Sequence, residues 1–79
     1  MRRSFVVEQA GCPSFAARVR LALADVVRVD GIEIDEAADT AFVRVSGDEV
    51  WEPRVEAAIA AASEGSGHAY QVRGGSWGG

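Results

Sequence analysis

Cysteine and histidine, the side chains best suited to soft-metal or nucleophilic chemistry, each occur once, as Cys12 and His68. Cys12 precedes Pro13, and proline favours the first position of a helix because its fixed φ suits the helix and its missing N–H costs nothing there. A helix N-terminus offers unpaired N–H groups and a positive dipole end, which lower the pKa of a thiol. The sequence therefore predicts that Cys12 is the most reactive side chain of the protein.

Hydrophobic periodicity predicts six elements that position these side chains. Strands are expected at residues 4–8, 27–35, 40–45 and 68–73, and helices at about 13–25 and from near Pro53 to about 62. Gly31 interrupts the alternation of the second strand, which indicates a bulge that reverses the buried face. Residues 36–39 form the predicted hairpin turn. Residues 74–79 are predicted to be a flexible Gly-rich tail, with Trp77 either exposed or folded back onto the domain.

The order strand, helix, two strands, helix, strand predicts an α+β domain over residues 1–73 with the ferredoxin-like βαββαβ fold, a two-layer sandwich. Two helices cover one face of a four-stranded antiparallel sheet, and right-handed crossovers place the first and third strands at its centre. The fourth strand then lies antiparallel to the first. The end of the first strand, near Cys12, is expected beside the start of the fourth, near His68.

Composition limits the function classes. The net charge of −4 argues against nucleic acid or an anionic membrane as partner, since both reward a basic surface. No apolar stretch is long enough to span a membrane, and the start lacks the pattern of a secretory signal, so a cytoplasmic protein is expected. A single cysteine excludes a disulfide scaffold. We expect no enzyme, because no nucleophile–base pair is readable and so small a domain encloses no ordinary substrate pocket.

The segment from Phe5 through Cys12-Pro13-Ser14-Phe15, followed by Val19, Leu23 and Val29, resembles the heavy-metal-associated (HMA) domain. This is the fold of small copper chaperones and of the N-terminal modules of metal-pumping ATPases, and the resemblance covers about residues 3–73. It implies a domain that binds or traffics a soft metal ion such as Cu(I), with a metal-transporting ATPase or another protein as partner.

The metal loop of that family carries Cys-x-x-Cys, and here it is degenerate. The first cysteine maps to Cys12 and the second to Phe15, whose ring supplies no ligand, while Ala10 stands where the family has a methionine packed under the loop. His68 is the candidate for the loop residue that faces the metal in relatives. Three routes to a complete site stay open: Cys12 with His68, Cys12 shared between two copies in a homodimer, or a thiolate from a partner protein.

Several other interpretations compete with metal binding. A metal-free interaction module on the same fold would use an exposed edge strand and the apolar loop around Phe15. The final Gly78-Gly79 is also found in sulfur carriers, but those have a β-grasp fold that opens with a hairpin. The acidic residues of the second strand and its turn could serve as hard-metal ligands, although their pattern is typical of a solvated edge. This acidic set is Asp30, Glu33, Asp35, Glu36 and Asp39.

Overall fold

The computed structural model describes all 79 residues and contains four strands and two helices in the predicted order. Their bounds are β1 Arg2–Glu8, α1 Ser14–Leu23, β2 Arg28–Asp35, β3 Thr40–Ser46, α2 Glu52–Ala62 and β4 Gln71–Val72. The strands form one antiparallel sheet in the order β2-β3-β1-β4. This confirms the ferredoxin-like fold, with β1 and β3 central, and it leaves no place for a β-grasp fold.

The alternating sequence of β3 shows why this sheet forms. Ala41, Val43 and Val45 are buried, whereas Phe42 and Arg44 point to the opposite face, which no helix covers. Successive strand residues face opposite sides, so one face of the sheet enters the core and the other stays open to solvent. We call the solvent-exposed face of the sheet, which carries Phe42 and Arg44, the open face.

The predicted bulge at Gly31 is confirmed. Val29 pairs with Val45 and Gly31 with Arg44, so the residue between them, Asp30, is extra on β2. The bulge returns Ile32 and the residues after it to the correct face, because one inserted residue reverses the alternation. β2 therefore packs against the core both before and after the bulge.

Both helices pack on the buried face of the sheet. α1 buries Phe15, Val19 and Leu23, and α2 buries Val55 and Ile59, at the spacing of a helical stripe. Together with the inward residues of the sheet they form one cluster of 15 buried side chains. α1 ends at Leu23, two residues before the predicted end, and a turn follows it. Neither helix is long and apolar enough to cross a membrane.

β4 is shorter than the predicted 68–73 and places His68 outside the strand. Gly67 has φ +79°, and the His68 N–H is bound by the Ser66 hydroxyl at 3.0 Å. Because the turn already uses this backbone donor, pairing with β1 begins only at Gln71. His68 therefore lies on a bend that enters the strand.

The C-terminal residues 74–79, predicted as a flexible Gly-rich tail, lie along the edge of β1. Ser4 and Gly78 exchange two backbone hydrogen bonds of 2.8 Å, and the Ser76 hydroxyl accepts one from the Val6 N–H at 3.0 Å. Trp77 folds back onto the domain, with its ring centroid 4.5 Å from that of Phe5. The tail thus covers the edge of β1 beyond β4. The pairing uses backbone groups of a Gly-rich segment, which leave no hydrophobic pattern in the sequence.

Replacing Trp77 with alanine should destabilise the fold. The substitution removes the Phe5 contact, the Arg3 guanidinium 5.2 Å from the Trp77 ring, and the hydrogen bond from Trp77 Nε1 to Glu56 at 3.0 Å. Aromatic and cation–π contacts of this kind predict a loss of about 1–2 kcal/mol in the free energy of unfolding. Urea denaturation followed by far-UV circular dichroism measures it.

Trp51→Ala is the matched control, because Trp51 is 62% exposed. It should change the free energy of unfolding by less than half as much. Equal losses for the two tryptophans would contradict the packing of the tail.

Candidate metal centre

The loop between β1 and α1, residues 9–13, presents Cys12 at one end of the sheet. Gln9 adopts a left-handed conformation, with φ 58°, and turns the chain out of β1. The side chain of Ala10 is fully buried and anchors the loop to the core. Cys12 comes two residues later and is half-buried. A fixed base and a reachable thiol are the two properties that a ligand loop requires.

Asp39, from the turn between β2 and β3, holds this loop in place. Its carboxylate accepts a hydrogen bond from the Gly11 N–H at 3.0 Å, and its backbone carbonyl accepts one from the Ala10 N–H at 3.2 Å. Asp39 is exposed, as expected of a solvated edge, and it also fixes the Cys12 loop. Its positive φ of 56° is a conformation that aspartate tolerates in turns, but the sequence gives no sign of its distant partner.

Ser14 tunes the thiol of Cys12. The Ser14 Oγ lies 3.1 Å from the Cys12 Sγ, and α1 begins at Ser14. Hydrogen bonds from the Ser14 hydroxyl and then from its backbone N–H lower the pKa of the Cys12 thiol, against smaller opposing effects that include the charge of Glu36. Both bonds stabilise the thiolate, which is the form that binds metal. The position at the helix start was predictable; the serine contact was not.

Phe15 occupies the core where the resemblance would place a second cysteine. Its side chain is fully buried, and its ring meets that of Tyr70 edge-on with centroids 4.8 Å apart. The prediction that the ring supplies packing rather than a ligand is confirmed. The same burial means that no partner can contact the Phe15 ring, so a contact surface at this loop would consist of its exposed residues, such as Pro13.

The sequence indicates Tyr70 only as an apolar position of the fourth strand. It is 3% exposed, and its hydroxyl is buried with no hydrogen-bond partner. Most buried tyrosine hydroxyls find a partner, so this oxygen is an exception inside the aromatic layer next to the loop. No pattern in the sequence could have shown it.

His68 lies on the far side of Tyr70. The two rings are nearly parallel, at 10°, with centroids 6.1 Å apart, and His68 is exposed. The neighbouring Ala69 N–H reaches the Gln9 side-chain oxygen at 3.4 Å, which joins this bend to the Cys12 loop. Two contacts, Gln9 with Ala69 and Phe15 with Tyr70, thus connect the segments that carry Cys12 and His68. No group of three or more His, Cys, Asp or Glu side chains gathers as a metal site.

Comparison with known proteins places this geometry on a known fold. No protein-family model matches the chain, and no curated protein matches it significantly. Among solved structures, oxidized MerP from Ralstonia metallidurans CH34 is similar with a TM-score of 0.57 and 15% identity, over 92% of this chain and 99% of that one. The chain has the fold of MerP.

A second structure, solved in work on "crosstalk between Cu(I) and Zn(II) homeostasis", has a TM-score of 0.53 and 22% identity, over 89% of this chain and 97% of that one. At these identities the likeness to MerP and to this structure establishes the shared architecture. What the Cys12 loop can bind must therefore be inferred from the side chains of this chain.

Gly11→Ala should disturb the loop and the fold together. A Cβ at this position would lie 2.7 Å from the Asp39 Cα and 3.1 Å from the Asp35 carbonyl oxygen, both backbone atoms. We expect a loss of about 1–3 kcal/mol in the free energy of unfolding, the range for overpacking. Gly74→Ala is the control, since its Cβ would meet nothing within 4 Å. Equal stability of the two variants in urea denaturation would contradict the close approach.

The thiol of Cys12 should react with iodoacetamide at a lower pH than an ordinary thiol. The lowered pKa keeps the thiolate populated as the pH falls, and Ser14→Ala should raise the midpoint of the rate–pH profile because it removes the hydroxyl donor. Ser63→Ala, which alters a serine at the end of α2, should leave the midpoint unchanged. Coincident profiles for the native chain and Ser14→Ala would argue against this role of Ser14.

Proposed function

We propose that this protein binds a soft metal ion, with Cu(I) as the first candidate, and passes it on, using the Cys12 thiolate as its principal ligand. The observation that supports this proposal most directly is the Cys12 thiol, which is half-exposed at the start of α1 and whose pKa is lowered by Ser14. Thiolates are the soft ligands that select Cu(I). A metal ion must displace the proton of a thiol, and a lowered pKa reduces the cost of that step.

His68 is the proposed second ligand. Phe15 is closed in the core and supplies no donor atom, so the loop itself offers only one thiolate. His68 is exposed on the bend that Ala69 and Tyr70 tie to the two ends of the Cys12 loop. Its imidazole is exposed and stacked on Tyr70, and we propose that one of its nitrogens completes the site with Cys12.

The other two routes place the second thiolate on another chain. A metal ion could be shared by the Cys12 residues of two copies, or by Cys12 and a thiolate of a partner such as a metal-transporting ATPase. A site with one thiolate and few other ligands leaves the metal open to such an incoming ligand. That openness suits transfer rather than storage. We propose no catalytic reaction for this site.

The structural neighbours support the class of metal. One is MerP, and the other comes from work on Cu(I) and Zn(II) homeostasis. Zn(II) sites in proteins are usually tetrahedral with four ligands, and no such group of side chains is present. A site with few ligands suits Cu(I) better, which is why Cu(I) is the first ion to test.

A metal-free interaction module is the second candidate. Leu21 is 81% exposed on α1, beside a shallow and mostly apolar cavity of about 420 Å³ between the helices. The other residues lining it include Ala22, Ala58, Ala61 and Ala62. On this alternative a protein partner would cover the helical surface, and Cys12→Ser would leave its binding intact.

Anaerobic titration of the reduced protein with Cu(I) against a competing chelator tests the metal proposal. We expect tight binding by the native chain. Cys12→Ser should weaken it by more than the roughly 10–100-fold typical of losing an outer-shell partner, because a direct ligand is lost. His68→Gln should weaken it less than Cys12→Ser, but measurably.

Gln71→Ala is the control, since Gln71 is an exposed residue near the same end of the sheet and offers no soft ligand. Affinity equal to that of the native chain in Cys12→Ser would refute the metal proposal. Loss in Cys12→Ser with no change in His68→Gln would reject the intramolecular pair and leave the shared-thiolate routes, which sedimentation with and without Cu(I) separates.

A further inference from the structure

Arginines gather at the opposite end of the sheet from Cys12, on the open face. Arg2 and Arg28 both pair with Ser46 across neighbouring strands, and Arg44 is the next outward residue of β3. Residues directly opposite in a sheet point to the same side, so these three arginines and the Ser46 hydroxyl share one surface. Three strands therefore contribute to one basic cluster.

This cluster lines the largest cavity of the molecule, a half-open concavity of about 570 Å³, which we call the arginine groove. Its lining consists of Arg2, Arg3, Arg28, Asp30, Arg44, Val45, Ser46 and Gly79. The volume falls in the range of roughly 300–1,000 Å³ that small-molecule sites occupy. The groove is concave and polar, which distinguishes it from a flat charged surface.

The charges of the arginine groove are only partly neutralised from within. The guanidinium groups of Arg2, Arg28 and Arg44 share the groove with one side-chain carboxylate, that of Asp30. Asp30 is 3.4 Å from the Arg28 guanidinium, Arg3 pairs with Glu52 at 2.7 Å, and the closest Arg44 contact with Glu33 is 3.9 Å. Arg2 makes no ion pair. The protein as a whole carries a net charge of −4, so this positive excess is local.

Gly31 makes room for one of the guanidinium groups. A Cβ at Gly31 would lie 2.3 Å from one terminal nitrogen of Arg44 and 2.9 Å from its Nε. The guanidinium therefore lies across the backbone of the β2 bulge, in space that only glycine leaves open. The bulge and its glycine orient Arg44 as well as correcting the strand.

We propose that the arginine groove binds a small anion that carries a diphosphate group. Guanidinium groups present planar pairs of N–H donors that match phosphate oxygens, and several of them around one cavity fit a ligand with several such oxygens. The Ser46 hydroxyl adds a donor in the same row. A concave groove of this size favours a small ligand over an extended acidic peptide. This site is independent of the metal proposed at Cys12.

Titration of the ¹⁵N-labelled full chain with inorganic pyrophosphate at low ionic strength, followed by amide NMR shifts, tests the proposal. We expect saturable shifts centred on Arg2, Arg28 and Arg44. Arg2→Gln with Arg44→Gln should weaken binding by about tenfold or more, since charge-assisted hydrogen bonds are lost. Arg20→Gln with Arg54→Gln removes the same charge from exposed helical positions and should weaken it little.

Gly31→Ala separates a built site from general attraction, because it keeps every charge and displaces only the Arg44 guanidinium. It should also weaken pyrophosphate binding, with circular dichroism showing a folded domain. A parallel titration with ADP distinguishes free diphosphate from a nucleoside diphosphate as the source of the group. Absence of saturable shifts, equal weakening in both arginine pairs, or full affinity in a folded Gly31→Ala would overturn the proposal.

Discussion

Hydrogen bonding of β1 on both of its sides is the constraint on which the rest of the structure depends. All seven residues of β1 pair with β3, while β4 and the tail pair with its other edge. The strand is therefore fixed in register, and so are the segments at its two ends. The Cys12 loop leaves one end beside the bend that carries His68, and Arg2 begins the other end next to Ser46.

The two ends of β1 carry different chemistry. A strand of seven residues spans about 20 Å, so the thiol loop and the arginine groove lie far apart at the two ends of β1. The thiol end is built from a helix start, a serine and an aromatic layer in which the buried Phe15 stands in place of a second thiolate. The other end is built from guanidinium groups on three strands. A substitution at one end of β1 should therefore leave ligand binding at the other end unchanged.

Much of this architecture is readable from the sequence, because periodicity of two and of 3.6 residues records which faces are buried. The alternation in β3, the stripe of Val55 and Ile59, and the bulge at Gly31 all follow from it. The position of Cys12 follows from Pro13. The tail could not be predicted, since it pairs through backbone groups. The hold of Asp39 on the loop and the edge-on contact of Phe15 with Tyr70 join residues distant in sequence, and no local pattern encodes them.

Copper-edge X-ray absorption spectroscopy of the Cu(I)-loaded native chain tests the central claim most directly, because it counts the atoms bound to the metal. The claim is that Cys12 supplies the only thiolate and His68 the second ligand, since Phe15 is closed in the core. The spectrum should then show one sulfur and one nitrogen neighbour per copper. Two sulfur neighbours per copper, or none, would contradict it.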